Sequence, residues 1–151
     1  EQPCNTMEEI NSIRSQISHP IYLDENTESP TDVLRAIALG VCDGFGLKIT
    51  RLGGLNAFAT VRDICAMRSM PHTCEDTWGG DITAAAILHA AVTVTPRLLE
   101  AVWIPDNYIE EHYDPINGIQ VISGQVELPK GDGLGITPDE SQFGSPVFSF
   151  S

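Results

Sequence analysis

Basic residues are scarce in this chain: 8 lysines and arginines stand against 21 aspartates and glutamates, so its 151 residues carry a formal charge of -13. Nucleic acids and anionic membrane surfaces attract clusters of positive charge. The longest apolar run, residues 84–88, is also short, whereas a membrane-spanning helix needs about 20 apolar residues. We therefore expect a soluble protein that binds neither nucleic acids nor membranes.

Paired cysteines and the common catalytic signatures are absent as well. The four cysteines, at positions 4, 42, 65 and 74, form no CxxC pair, which excludes the usual structural zinc site. A chain of this length folds without disulfides, so we expect free thiols and a cytoplasmic location. No HExxH, GxSxG or P-loop pattern occurs. The chain begins with glutamate rather than methionine and without a secretory signal, which suggests a piece of a longer or processed protein.

Short apolar segments alternate with amphipathic ones over residues 1–107. Strands are predicted at residues 21–23, 42–49, 71–74 and 100–104, and helices at residues 7–17, 29–40, 56–70 and 81–91. Asp81 is predicted to cap the last of these helices. Because 42% of the residues are hydrophobic, the chain can bury the core of about one domain. Strands that alternate with helices in this way predict βα units on a parallel sheet.

The character of the sequence changes at residue 108, where proline and glycine become frequent. Residues 119–122 and 125–128 are candidate short strands in this part of the chain. We expect residues 1–107 to form the βα units and residues 108–151 to form an irregular C-terminal capping segment. The last residues, 139–151, are expected to be loosely held, as chain termini often are.

Charged residues recur at the ends of successive predicted strands. Asp24 lies 23 residues after Glu1, Lys48 lies 24 residues after Asp24, and Glu75 and Asp76 end the next strand. Because ligands of parallel α/β proteins bind where strands end, Glu1, Asp24, Lys48 and Asp76 are predicted to share one rim. Two carboxylates suit Mg²⁺, and a lysine near such a cation can act as a general base.

The same residues resemble motifs of the enolase superfamily, in particular of its members related to muconate-lactonising enzyme and mandelate racemase. The similar segments are Glu-Gln-Pro at residues 1–3, Leu-Asp-Glu-Asn at residues 23–26, Lys-x-x-Arg-x-Gly-Gly within residues 47–55 and Gly-Asp-Gly-Leu-Gly at residues 131–135. The resemblance implies an α/β fold that is the C-terminal half of a (β/α) TIM-type barrel, strands 5 to 8, followed by the capping segment.

The resemblance also implies a magnesium site and a reaction. Glu1 and Asp24 would be two of three metal ligands, and Lys48 would be the catalytic acid or base. The third carboxylate and an opposing lysine would come from the N-terminal half of the same barrel, supplied by the same protein or by a companion chain. The implied reaction is Mg²⁺-dependent removal of a proton α to a carboxylate, and we expect the protein to be a homo-oligomer.

Residues 75–81, Glu-Asp-Thr-Trp-Gly-Gly-Asp, resemble family members that act on proline derivatives, namely cis-3-hydroxyproline dehydratases and hydroxyproline-betaine epimerases. Asp76, Thr77 and Trp78 are therefore expected to bind a small amino-acid or betaine substrate. Asp76 could pair with a cationic ring nitrogen and Trp78 could face it. In the alternative interpretation Trp78 packs in the core and Asp81 is only a helix cap. The outcome would be epimerisation, racemisation or dehydration.

Other interpretations stay open from sequence alone. The chain could be a non-catalytic fragment that serves as a structural or interaction module, or a small flavodoxin-like binding protein with an open sheet. Glu25 could be an electrostatic neighbour of Lys48 or an ordinary surface residue. No catalytic role is assigned to the histidines, at positions 19, 72, 89 and 112.

Overall fold

A computed structural model describes residues 1–149 of the chain. The strands are β1 (Tyr22–Leu23), β2 (Gly44–Lys48), β3 (His72–Glu75) and β4 (Leu99–Trp103). The helices are α1 (Met7–Arg14), α2 (Pro30–Leu39), the short α3 (Ile49–Leu52), α4 (Leu55–Arg68) and α5 (Gly80–Ala91). Residues 150 and 151, the last two of the predicted capping segment, lie outside the described residues. None of the described helices is both long and apolar enough to cross a membrane.

All four strands run parallel and lie in sequence order, β1-β2-β3-β4. The predicted βα units are therefore confirmed. A flavodoxin-like sheet has the strand order 2-1-3-4-5, so that alternative is wrong. Sequential order is the arrangement found along the wall of a (β/α) barrel. Within residues 1–149, β4 pairs only with β3, which leaves its outer edge open.

The first two helices, α1 and α2, have the local end signals expected from sequence. Thr6 and Glu9 form a reciprocal capping box at the start of α1, and Ser29 caps α2 with Pro30 in the first turn. At the other end of α2, Gly40 adopts the left-handed conformation, with φ of 64°, that glycine accommodates without a steric penalty. These caps fix where each connecting loop enters the sheet.

The hydrophobic core lies between the sheet and the helices. Leu23, Phe45 and Leu47 project from adjacent strands into this layer and are fully buried. Val61 of α4 and Ile87 of α5 pack in the same cluster. The opposite face of the sheet, which would face the interior of a barrel, carries the polar residues described below.

All four cysteines are free, and those at positions 42, 65 and 74 lie in this core. Burial is the leading cause that raises the pKa of each of these three thiols to about 12. Since the thiolate is the reactive form of cysteine, the buried thiols are inert at neutral pH.

Asp81 is not the cap of α5, and this prediction was wrong. Gly79 occupies the N-cap position without a side-chain hydrogen bond, and Asp81 is the second residue of the helix. The predicted strands at residues 119–122 and 125–128 are wrong too, because the structure shows only a single antiparallel bridge between Ile122 and Gln125. The segment after β4 is instead attached to the barrel wall by Asp81, which is only 3% exposed, and by Ile119, which packs against α5.

A second buried aspartate, Asp114, ties the C-terminal segment together. Its carboxylate accepts hydrogen bonds from the backbone N–H groups of Thr137 at 2.8 Å, Asn117 at 2.8 Å and Ile116 at 2.9 Å. These bonds, with that of Thr137 the strongest, hold the pKa of Asp114 below its ordinary value. The ionised carboxylate therefore stabilises the folded segment.

The stability of the C-terminal segment should depend on pH through Asp114. Because the folded-state pKa of Asp114 is lowered, its contribution to stability is complete above about pH 5 and is lost as the pH falls from about 4 through the lowered pKa. We expect Asp114→Asn to lower the urea midpoint at pH 7, and the gap between variant and wild type to close in acid. Urea unfolding curves of both proteins from pH 7 down to pH 3 test this prediction. A difference in urea midpoint that stays constant across that range would contradict it.

Candidate active site

Glu1 is held beside the end of β1 by its neighbour Gln2. The backbone N–H of Gln2 donates to the carbonyl of Tyr22 at 2.8 Å. The side-chain oxygen of Gln2 accepts from the backbone N–H groups of Asp24 at 3.1 Å and Asn26 at 2.9 Å. Glu1 and Asp24 therefore lie next to each other at the carboxyl end of the sheet, as the spacing of the strand ends predicted.

Lys48 lies between two carboxylates at this end of the sheet. Its Nζ donates to Asp24 Oδ1 at 2.5 Å and to Glu75 Oε2 at 2.6 Å. Arg51, in α3, forms a second ion pair with the same oxygen of Asp24. The side chains of Asp24 and Lys48 are nearly buried, at 8% and 12% exposed, so these pairs are poorly screened by solvent.

The pKa values of Glu1 and Asp24 shift in opposite directions in this arrangement. Burial raises the pKa of Asp24, but hydrogen bonds from Arg51 and Lys48 outweigh burial and hold that pKa below its ordinary value. Burial raises the pKa of Glu1, and its hydrogen bond and charge repulsion with Asp24 raise it further. The rim is therefore rich in negative charge that only cations relieve.

Gly46 makes room for the carboxylates above it. A Cβ atom at this position would lie 2.9 Å from Glu75 Oε1 and 3.4 Å from Asp24 Oδ1. Glu75 can thus take its position because β2 carries no side chain there, whereas Asp24 would be left in ordinary van der Waals contact.

We accordingly predict that Gly46→Ala displaces Glu75 and weakens its ion pair with Lys48 while the fold persists. Activity of the completed enzyme should fall by about tenfold or more, in line with the cost of a misplacement of about 1 Å in a catalytic geometry. Gly53→Ala is an unsuitable control because its φ is 88°, so Ala57→Gly on α4 serves instead. Full activity in Gly46→Ala would show that the close approach is unimportant.

Three carboxylates could hold a divalent cation. One oxygen each from Glu1, Asp24 and Glu25 lies within 4.8 Å of the others, and no further cluster of this kind occurs among residues 1–149. Oxygen ligands at such separations suit Mg²⁺, which binds a few carboxylates together with water and substrate oxygens. The residues present therefore fit the cation. Glu25 belongs to this group and forms no direct ion pair with Lys48 in the described part of the chain.

The structure brings Glu75, and not Asp76, to the shared rim. Glu75 is the register partner of Lys48 on β3, so their side chains lie on the same face of the sheet. Asp76 points to the helix side and is 1% exposed. Its Oδ1 accepts from the backbone N–H of Thr77 at 2.5 Å and of Gly79 at 3.4 Å, and burial raises its pKa. The expected pairing of Asp76 with a substrate nitrogen does not fit this position.

Thr77 and Trp78 do lie at the rim. The hydroxyl of Thr77 is 2.5 Å from that of Thr50, in the short helix α3 that follows β2. Trp78 is 60% exposed, so the alternative that it packs in the core is wrong. Its ring meets Trp103 edge-on, with ring centroids 5.4 Å apart, and meets Tyr108 in the same way at 5.1 Å. We call these three rings the aromatic wall.

Sequence reasoning missed several residues of this site. Arg51 was recognised only as part of a motif, and Glu75 and Trp103 were not assigned to the site. Trp103 is the register partner of Glu75 and lies beside it on β4. The two-residue period of the strands could have found Glu75, because His72 and Cys74 face the core and the residues that alternate with them, Thr73 and Glu75, must face the other side.

The histidines lie away from the rim. His72 begins β3, fully buried, and its Nδ1 is 3.1 Å from the carbonyl of Met70. His89 Nε2 is 3.0 Å from the carbonyl of Leu134. His112 Nδ1 is 2.9 Å from Asp81 Oδ1. Each of these three rings contacts structural groups in the described part of the chain.

Comparisons with known proteins support this geometry. Residues 1–142 match the family described as enolase C-terminal domain-like. Cis-3-hydroxy-L-proline dehydratase of Roseibium aggregatum is 38% identical over 152 residues, covering all of this chain and 41% of that protein. The o-succinylbenzoate synthase of Geobacillus stearothermophilus is 32% identical over 149 residues, covering 94% of this chain and 38% of that protein.

A solved structure shows the same architecture. It is a member of the enolase superfamily from Roseovarius nubinhibens ISM, complexed with magnesium, with a TM-score of 0.91 and 30% identity over 99% of this chain and 41% of that one. The chain thus spans about 40% of the length of the relatives it matches. Its four-stranded sheet is the C-terminal half of a (β/α) barrel, and the chain belongs to the enolase C-terminal domain-like family.

Proposed function

We propose that this chain supplies half of the active site of a Mg²⁺-dependent enzyme that removes the proton α to a carboxylate. The observation that carries the proposal is the position of Lys48 between Asp24 and Glu75, next to the three carboxylates that could hold a cation. A general base must lie within reach of both the acidic proton and the charge that forms when it leaves. Lys48 is the residue of this chain that satisfies both conditions.

In the proposed reaction each residue has a separate task. Glu1 and Asp24, with Glu25 beside them, would hold Mg²⁺, which supplies electrophilic stabilisation of the charge that develops on the substrate carboxylate. Lys48 Nζ takes the proton from the α carbon. Arg51 holds Asp24 in place through their ion pair, so that metal ligand and base keep a fixed separation. Return of a proton to the opposite face gives the epimer or racemate, whereas departure of a β-hydroxyl gives the dehydrated product and water.

The substrate class we propose is a proline- or hydroxyproline-type amino acid or betaine. A cationic ring nitrogen next to the reacting carbon needs a carboxylate and an aromatic face. Glu75 and Trp103 are adjacent register partners, and Trp78 packs edge-on against Trp103. These residues, with Thr77 at the rim, take the place that Asp76 was expected to fill. The similarity to cis-3-hydroxy-L-proline dehydratase supports the same class.

The rest of the site would come from the N-terminal half of the barrel, which would supply a third metal ligand and an opposing lysine. We further propose that the protein acts in the cytoplasm, because its thiols are free, and that it is a homo-oligomer. The competing proposal is a non-catalytic structural module, favoured by the fact that the chain spans only about 40% of its relatives. Intact-mass measurement of the native protein, and a search for a companion chain, distinguish the two.

Deuterium exchange at the α carbon tests the proposal directly. The completed protein would be incubated in D₂O with Mg²⁺ and, in separate reactions, proline, 3- and 4-hydroxyproline and their betaines, with mandelate as a comparison carboxylate that lacks an amine. We expect metal-dependent exchange with at least one member of the panel, and its complete loss with a chelator. Exchange with a non-amine carboxylate alone would overturn the substrate class, and the absence of exchange with any carboxylate would overturn the activity.

A further inference from the structure

The loop between β3 and α5, residues 76–79, has to hold an exposed tryptophan in an unfavourable backbone conformation. Trp78 has φ of 64°, in the left-handed region that bulky residues rarely adopt. With 60% of its surface exposed, burial does not fix the side chain. Its position in the aromatic wall therefore depends on the backbone on either side of it, in addition to its contacts with Trp103 and Tyr108.

On the β3 side, Asp76 fixes the loop through hydrogen bonds. Its buried carboxylate accepts the N–H groups of Thr77 and Gly79, which flank Trp78. The backbone N–H of Asp76 donates in turn to the carbonyl of Trp103 at 3.0 Å. This end of the loop is thus tied to β4, the strand that carries the neighbouring ring of the aromatic wall.

On the helix side, the loop is pressed against the C-terminal segment. Gly80 has φ of 59°, and a Cβ atom there would lie 2.7 Å from Cε2 of Tyr113. The ring of Tyr113 also packs against Phe143, with ring centroids 5.2 Å apart. The backbone that leaves Trp78 therefore has no room to move toward the C-terminal segment.

Asp81 connects these two parts of the molecule. Its Oδ1 lies 2.8 Å from the backbone N of Ile119 and 2.9 Å from His112 Nδ1, and its Oδ2 lies 3.1 Å from the backbone N of Asp114. All three partners belong to the C-terminal segment, whereas Asp81 itself lies three residues after Trp78. A buried carboxylate with three such partners defines one position for the segment, because any displacement leaves a buried charge unsatisfied.

We propose that Asp81 is a positioning residue that, by anchoring residues 112–119 against the start of α5, sets the place of Trp78 in the aromatic wall and so the affinity for a cationic substrate. The part that concerns affinity rests on the proposed function; the part that concerns the position of Trp78 does not. Asp81 touches neither substrate nor metal, and it acts through the backbone of Gly80 and the ring of Tyr113.

The experiment uses Asp81→Asn, which keeps the shape of the side chain but presents an N–H₂ group to backbone donors. His112→Phe is the milder second variant, since it removes one partner and leaves α5 intact. Asp63→Asn is the matched control, because Asp63 is an exposed aspartate of α4 paired with its neighbour Arg62. Circular dichroism reports the coupling of two closely spaced indoles, and loss of the signal in Trp78→Phe and in Trp103→Phe assigns it to that pair.

In Asp81→Asn we expect most of the indole coupling to be lost, and acrylamide to quench tryptophan fluorescence more strongly. In His112→Phe we expect a smaller loss. In the completed enzyme, KM for a cationic substrate should rise about 3- to 10-fold with kcat nearly unchanged, the range expected for a misplaced cation–π partner. Asp63→Asn should leave the coupling, the quenching and both kinetic constants as in wild type.

The outcomes separate the two proposals. Loss of coupling in a protein without α-proton exchange would support the role of Asp81 while overturning the proposed activity. Wild-type coupling in a folded Asp81→Asn would overturn the role of Asp81, whatever the activity. Should Asp81→Asn fail to fold, the decision passes to His112→Phe, in which unchanged coupling and unchanged KM would equally overturn it.

Discussion

Replacing Lys48 by alanine is expected to lower α-proton exchange by the completed enzyme about 10²- to 10⁴-fold, the range that a positioned general base contributes. The side chain lies between Asp24 and Glu75 and has no substitute on its own face of the substrate, because this chain contains just one other lysine, Lys130, and the opposing lysine proposed for the N-terminal half would act on the other face. The affinity for Mg²⁺ should stay the same or increase, since Asp24 loses a cation that competes with the metal. Exchange monitored by NMR and metal binding by calorimetry measure the two effects separately.

Lys130→Ala is the matched control for this variant. Lys130 is exposed in the C-terminal segment and forms no ion pair within residues 1–149, so its removal should change neither exchange nor metal affinity. Exchange by Lys48→Ala at the wild-type rate would show that another group removes the proton. Equal loss of exchange and of metal binding would instead assign Lys48 a structural role.

Replacing Asp24 by asparagine is expected to have the second large effect. Asp24 is the one side chain at the rim that belongs to the candidate cation site and also pairs with both Lys48 and Arg51. Changes to residues that merely orient metal ligands cost about 10- to 100-fold in affinity, and a ligand itself should cost at least as much. We therefore expect Mg²⁺ affinity to fall at least tenfold and activity to recover only in part at saturating Mg²⁺, because the lysine loses its anchor.

Asp63→Asn again provides the control, since it makes the same chemical change on an exposed helix face. Calorimetry with Mg²⁺, and exchange rates at rising Mg²⁺ concentration, give the two readouts. If Asp24→Asn bound Mg²⁺ with wild-type affinity, the candidate cation site would be misassigned. Complete recovery of activity at high Mg²⁺ would limit Asp24 to metal binding and remove its proposed role in holding Lys48.

Much of the fold was accessible from sequence because its signals are local. The second helix was predicted at residues 29–40 and is found at Pro30–Leu39, because Ser29, Pro30 and Gly40 mark its ends chemically. The face of the sheet that each side chain occupies could be predicted only in part from the sequence. Glu75 and Asp76 are consecutive acids, and an apolar period of two residues through His72 and Cys74 decides which of them faces the barrel interior.

The attachment of the C-terminal segment could not be predicted in the same way. Asp81 accepts bonds from residues 31 to 38 positions away, and two of its three donors are backbone N–H groups. Backbone donors are identical in every residue type except proline, so no sequence pattern marks them. A helix cap was the simplest local explanation for an aspartate at that position, and the tertiary contacts replaced it.

The open edge of β4 has a consequence for handling this chain. Five residues, Leu99–Trp103, pair with no strand of residues 1–149 on the side away from β3. Such an edge is a template for pairing with another strand, and proteins normally cover it. If the complementary half of the barrel covers this edge, the stability of the chain to heat and urea depends on how much of that half is present. A single melting temperature measured on the isolated chain then does not define its stability.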